Sequence, residues 1–236
     1  DAERDRLAAL PPLEYGKVRN EAAKRLGVTV SILDQEVKKR RQTTDSAPDF
    51  VSVDPAESPV EGEKLADALA TVIRRFVVIE PDAIHATVLW VLWAYAFNCW
   101  TIAPILALVS PEKRCGKTSL LALLARVLDR ALLSSNISAA AIFRAVDGLK
   151  PVLLIDEMDS FGEEDEALRG ILNSGHTKDA ARVIRVVGEG AQMTVKTFST
   201  WCPKVLASIG ALADTLEDRS ITIPMKRRKR GEAKES

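Results

Sequence analysis

The sequence predicts an α/β fold, a parallel sheet flanked by helices, with a small helical region ahead of it. Three observations carry this. Apolar runs of strand length, "APILALVS" and "PVLLID", alternate with helix-patterned segments, as expected of a buried parallel sheet. A tripeptide Gly116-Lys117-Thr118 stands where the first run gives way to an amphipathic helix. The 236 residues, 47% hydrophobic and 28% charged, suffice for one sizeable core plus an appendage.

Taken in order, residues 1–42 are polar and helical in pattern. "EAAKRLGVTVSILDQEVKKRRQ" places Ala23, Gly27, Val28, Val30, Leu33 and Val37 at the spacing of helix, tight turn, second helix. A helix-turn-helix that enters a DNA groove through Lys38 and Arg40 is one reading. A helical hairpin with a solvated basic end is the other. Residues 43–63, with three prolines and many Ser and acidic positions, read as a linker. An α/β domain is expected over 64–230, and 231–236 as a tail.

"EKLADALATVIRRFVVI" then gives an amphipathic helix and "PDAIHATVLWVLWAYAF" a more buried one. From Ala83 to Pro111 no residue is charged, a run long enough to cross a bilayer. Asn98, Thr101 and Pro104 divide it into a helix and a strand, so no membrane partner is expected. After the loop, "KTSLLALLARVLDR" is a helix with Leu120, Leu121, Leu124 and Leu128 on its apolar face. "SAAAIFRAVDG" is a helix and "PVLLIDE" a buried strand.

Lys plus Arg and Asp plus Glu both number 33, which argues against coating nucleic acid by bulk charge. Cys99, Cys115 and Cys202 form no C-x-x-C or Cys/His cluster, so neither a disulfide framework nor zinc is expected. A cytoplasmic setting fits. "DAERDRLAAL" does not read as a signal peptide.

By itself G-K-[ST] arises by chance in roughly one chain in ten of this length. Its context raises its weight. At a helix N-terminus the amides of Cys115, Gly116, Lys117, Thr118 and Ser119 converge on a polyphosphate. Lys117 reaches the terminal phosphates and Thr118 a Mg²⁺. Pro111 stands where the full G-x-x-x-x-G-K-[ST] pattern has its first glycine, at the loop's entry, whereas the cradling amides come from its exit. Downstream, "PVLLIDEMDS" ends a strand in two carboxylates: Asp156 suits the Mg²⁺, and Glu157 suits the activation of water. Together these predict a P-loop NTPase that takes ATP and Mg²⁺.

"SPEKRCGKTSLLALL", "NISAAAIFRAV", "LLIDEMDSF", "LRGILNSGH", "FSTWCPKVLASIG" and "DTLEDRSI" resemble a family of uncharacterised ATPase domains at the C-terminal end of primase-like proteins of phages, plasmids and other mobile elements. The resemblance covers roughly residues 85–230, and its loop has the same proline. "LPPLEYGKVRNEAAKRLGV" is similar to the segment that joins primase and helicase modules there. More distantly the motif order is similar to superfamily-three helicases, within the AAA+ ring ATPases.

The resemblance implies a DNA motor, with single-stranded or forked DNA as substrate, a homo-oligomeric and hexameric ring, and a primase module as a possible partner. It implies a channel hairpin, here "ARVIRVV", "GEGAQ" and "MTVKTFST", with Lys178, Arg182, Arg185 and Lys196 as its DNA contacts. "PKVLASIG" becomes a sensor strand ending in Ser208, and Arg219 an arginine that acts on the neighbouring subunit's nucleotide. The basic terminus "MKRRKRGEAKES" reads as a connection to a lid or as a phosphate-binding tail. An ATP-switched initiator without unwinding activity is the alternative.

Overall fold

The computed structural model describes residues 2–44, 50, 54–160, 166–188 and 193–229. The chain divides into two compact units, Asp1–Asp49 and Phe50–Ser236.

The first unit has three helices: α1 (Ala2–Ala9), α2 (Pro12–Leu26) and α3 (Val30–Thr44). Pro12 occupies the first turn of α2, where its missing N–H is no loss. Gly27 ends the helix at φ +66, and its N–H bonds back to Ala23 and Lys24. That left-handed residue turns the chain so that Leu7, Tyr15, Ala22, Ala23, Leu33 and Val37 close into a small core of their own. The expected helix, turn and helix are therefore present. The side chains of Lys38 and Arg40 lie outside the described residues.

The second unit is a three-layer α/β domain. Its sheet has the order β2 (Ala131–Ser134), β3 (Val152–Ile155), β6 (Lys204–Ile209), β1 (Ile105–Ser110) and β7 (Ser220–Pro224), and every pairing is parallel. Alternation along the strands sorts the core. Leu106, Leu108, Leu154, Val205 and Ala207 face α4 (Gly62–Phe76), α5 (Pro81–Tyr95) and α6 (Lys117–Val127). Ile105, Ala107, Leu153, Ile155 and Leu206 face α7 (Ala139–Leu149), α8 (Glu166–Ser174) and α9 (Asp214–Glu217). Both faces are covered, so the strands read as unbroken apolar runs.

The uncharged stretch resolves into α5, a 3₁₀ turn at Phe97–Cys99, and β1. Trp90 ties helix to strand through its indole N–H, which donates to the Pro104 carbonyl at 2.9 Å. Among the described residues no helix is long and apolar enough to cross a membrane. Leu128 lies outside the helix in which the apolar periodicity places it: α6 stops at Val127, and Leu128 is extended. The chain there is already turning toward β2, and Leu128 is buried from that extended position.

A hairpin of β4 (Arg182–Val187) and β5 (Thr194–Ser199) forms a separate two-stranded sheet. Of the expected turn, residues 189–192 lie outside the described residues, as does the tail 231–236.

Candidate functional site

The carboxyl ends of β1, β3 and β6 form one edge, where α/β sheets bind ligands. Two hydrogen bonds lock that edge together. Gly210 N donates to the Ser110 carbonyl at 2.9 Å, and Ile209 N donates to Asp159 Oδ1 at 2.9 Å. Over this edge runs the loop 111–116. Its reversal is made by Arg114, at φ +65, and Gly116, at φ +84. Left-handed backbone costs a non-glycine residue roughly 1–2 kcal/mol, and here it falls on Arg114 rather than on a glycine at the entry. Pro111 thus leaves the loop's tight part untouched. Inside the loop the buried Cys115 thiol donates to the Glu112 carbonyl at 3.2 Å.

α6 begins at Lys117, so the amides at the loop's exit are helix N-terminal donors without an intrahelical partner. Lys117, a residue only 8% exposed, donates from its Nζ to Ser110 Oγ. Ser110 Oγ donates in turn to the Glu112 carbonyl at 2.7 Å. Thr118 Oγ1 donates to Asp156 Oδ2 at 2.9 Å. Asp156 sits just past β3, and its other oxygen accepts from Glu157 N at 2.9 Å. Glu157 is exposed and held at φ +57, an unusual conformation of a kind that concentrates at functional sites.

A cleft of about 550 Å³ opens over the loop. Arg114, Lys117, Lys226, Arg227 and Arg228 line it, and its described lining includes no carboxylate. Cys115, Gly116, Thr118 and Ser119 form its floor, and Phe76, which ends α4, with Val77 and Val78 just after it, an apolar wall. Five cations line the cleft, two of them in exposed pairs with glutamates just outside it, Lys226 with Glu80 and Arg227 with Glu112, an excess of positive charge that suits a polyanion with an apolar end.

Ser208 is buried in β6 beside Val109 of β1, and its hydroxyl donates to the Ile209 carbonyl at 3.3 Å. Arg219 stands at the opposite edge of the sheet. Its carbonyl accepts from Ile105 N, at the start of β1, and its guanidinium donates to the Thr215 carbonyl at 2.6 Å. It pairs with neither Glu217 nor Asp218. Nearby are further cationic or basic groups: both Arg219 and Lys204 depress the pKa of His176, after burial, the largest cause, and against the Ala103 hydrogen bond that raises it.

The basic candidates separate. Lys178 Nζ donates to the Asn98 carbonyl at 2.5 Å and lies 5.9 Å from the Trp201 ring centroid. Arg182 donates to the Asp179 carbonyl. Arg185 and Lys196 are direct cross-strand partners on the hairpin, lying over Phe143 and Phe198 respectively. Like charges placed opposite each other destabilise a hairpin, and an anion relieves that.

Among the described residues no group of three or more His, Cys, Asp and Glu could hold a metal ion. The hard oxygens of Thr118 and Asp156 suit Mg²⁺, which takes one or two protein ligands alongside substrate phosphates.

No protein-family model matches the chain, and no curated protein matches it.

Sequence reasoning missed Ser110, which holds Lys117, and Asp159, which ties β3 to β6. Asp159 was visible as the last acid of "DEMD"; Ser110, as the last residue of an apolar strand, carried no signal. It also missed the 76–78 wall, because only tertiary packing brings that segment to the loop.

Proposed function

We propose that the chain is an ATP-hydrolysing motor on DNA, of P-loop AAA+ type, serving replication of a mobile element. One observation carries the nucleotide part. The Thr118 hydroxyl and the Asp156 carboxylate, 38 positions apart, meet at 2.9 Å beside a lysine at a helix N-terminus. In this reading the amides at the start of α6 take the phosphate oxygens. Lys117 exchanges Ser110 for the terminal phosphates. Thr118 and Asp156 would hold a Mg²⁺, which would supply charge neutralisation at the terminal phosphates. Glu157 accepts the proton of the attacking water.

The Arg185–Lys196 pair supports a DNA phosphate contact on the hairpin. Arg219 acts from a neighbouring copy in an oligomeric ring. The second reading, an ATP-switched initiator, gains from the hairpin's other face. There Ile184, Val186 and Val195 are 60%, 61% and 72% exposed, a surface suited to protein assembly rather than to sliding on phosphates.

ATP turnover against protein concentration, with and without single-stranded DNA, tests this. Lys117→Ala and Glu157→Gln are expected to lose about 100-fold or more, and Arg219→Ala about 1,000-fold. Wild-type turnover per subunit rises with concentration and with DNA. ATP binding without DNA-responsive turnover would favour the initiator, and absence of ATP binding would sink both.

A further inference from the structure

Beyond β7 the chain does not leave the sheet edge. Met225 N donates to the Val109 carbonyl at 2.7 Å, and the Met225 side chain is fully buried. A Cβ on Gly116 would lie 3.7 Å from Met225 Cε, so Met225 packs beneath the loop's own glycine. From that anchor the chain runs along the cleft, with Lys226, Arg227 and Arg228 in its lining. Two exposed ion pairs hold it there: Lys226 to Glu80 at 3.1 Å and Arg227 to Glu112, a loop residue, at 3.8 Å. Such solvent-exposed pairs are weak. A triphosphate, with several charges and bidentate geometry for a guanidinium, is the stronger partner.

We infer that the segment Met225–Lys229 is a nucleotide-dependent strap, resting on the nucleotide reading of the site above. With a triphosphate on the loop, Arg227 gives up Glu112 for phosphate oxygens, and Arg228 joins it from the same wall. Lys226 stays on Glu80, beside the apolar wall where the nucleoside end lies. The strap binds in cis, at the end of β1 opposite Arg219, so the two arginine sets are separable.

Tryptic cleavage after Lys226, Arg227 and Arg228, followed by mass spectrometry with and without Mg²⁺-ATP or inorganic tripolyphosphate, reads the strap directly. ATP affinity is measured in parallel by calorimetry. Saturating ATP is expected to slow cleavage at these bonds about tenfold or more. Arg227→Ala/Arg228→Ala is expected to weaken ATP binding about 100-fold, about tenfold for each charge-assisted hydrogen bond lost. Lys117→Ala abolishes binding and protection together. Wild-type ATP binding with unprotected bonds and unchanged affinity in the double variant overturns the strap and leaves the nucleotide reading standing. No ATP binding by the wild type overturns both.

Discussion

Gly175, just past α8, has the least room for a side chain among the described glycines. A Cβ there would stand 2.2 Å from the Thr200 carbonyl oxygen and 2.5 Å from Lys204 Nζ. The crowding has a purpose. Lys204 is 2% exposed, and its buried amino group is satisfied by donating to the carbonyls of Gly175 at 2.9 Å and Cys202 at 3.0 Å. Burial pushes its pKa down, with the neighbouring Cys202 opposing. Only a residue without a side chain lets the α8 carbonyl come close enough to satisfy the amine. Gly175→Ala should therefore lose about 2–3 kcal/mol, the cost of overpacking, measured by urea unfolding with an unchanged slope. An unmoved midpoint would mean that α8 can shift its last turn, and that Lys204 does not depend on this approach.

At the scale of elements, α7 shows a strained end that a single change can relax. Ser138 caps its start, accepting from Ala141 N, but its end is Lys150 at φ +48, ψ +53, followed by Pro151. Glycine is the residue suited to this place. Lys150→Gly should stabilise the fold by about 0.5–1 kcal/mol and raise Tm by roughly 1–4 °C. A lower Tm would show that the lysine stem packs usefully on its neighbours. The same elements show what could be read beforehand. The strands β1, β3 and β6 are central, and covering on both faces makes them legible as apolar runs. β2 is four residues long and half exposed, and β7 ends in Pro224. Edge strands tolerate that proline, yet nothing local announces them. The loop, Asp156 and Glu157 were legible because each motif is contiguous. The basic run at 226–228 was legible as a phosphate-binding tail, but its place over this loop was not, because it arrives there only through the pairing of β7 with β1.

The whole molecule separates its own arginine from its own loop. Arg219 directly precedes β7, whereas Met225, just beyond its end, meets Val109 near the loop. The six residue steps from Arg219 to Met225 span roughly 20 Å of extended chain, more than a side chain reaches. Arg219 can therefore serve a triphosphate only in another copy, and a ring closed head-to-tail would present it there. Mixing two inactive variants decides the matter. A Lys117→Ala subunit lacks a usable loop but still offers Arg219, while an Arg219→Ala subunit keeps its loop and lacks only the donor. Combined, they should recover ATP turnover that neither has alone, up to about one quarter of wild type, since in random rings half the loops are intact and half of those meet an arginine. Recovery should rise with total protein and vanish on dilution. Two folded, assembling variants that stay inactive together would reduce Arg219 to its contact with the Thr215 carbonyl, a residue that holds α9 against the start of β7 rather than one that works across an interface.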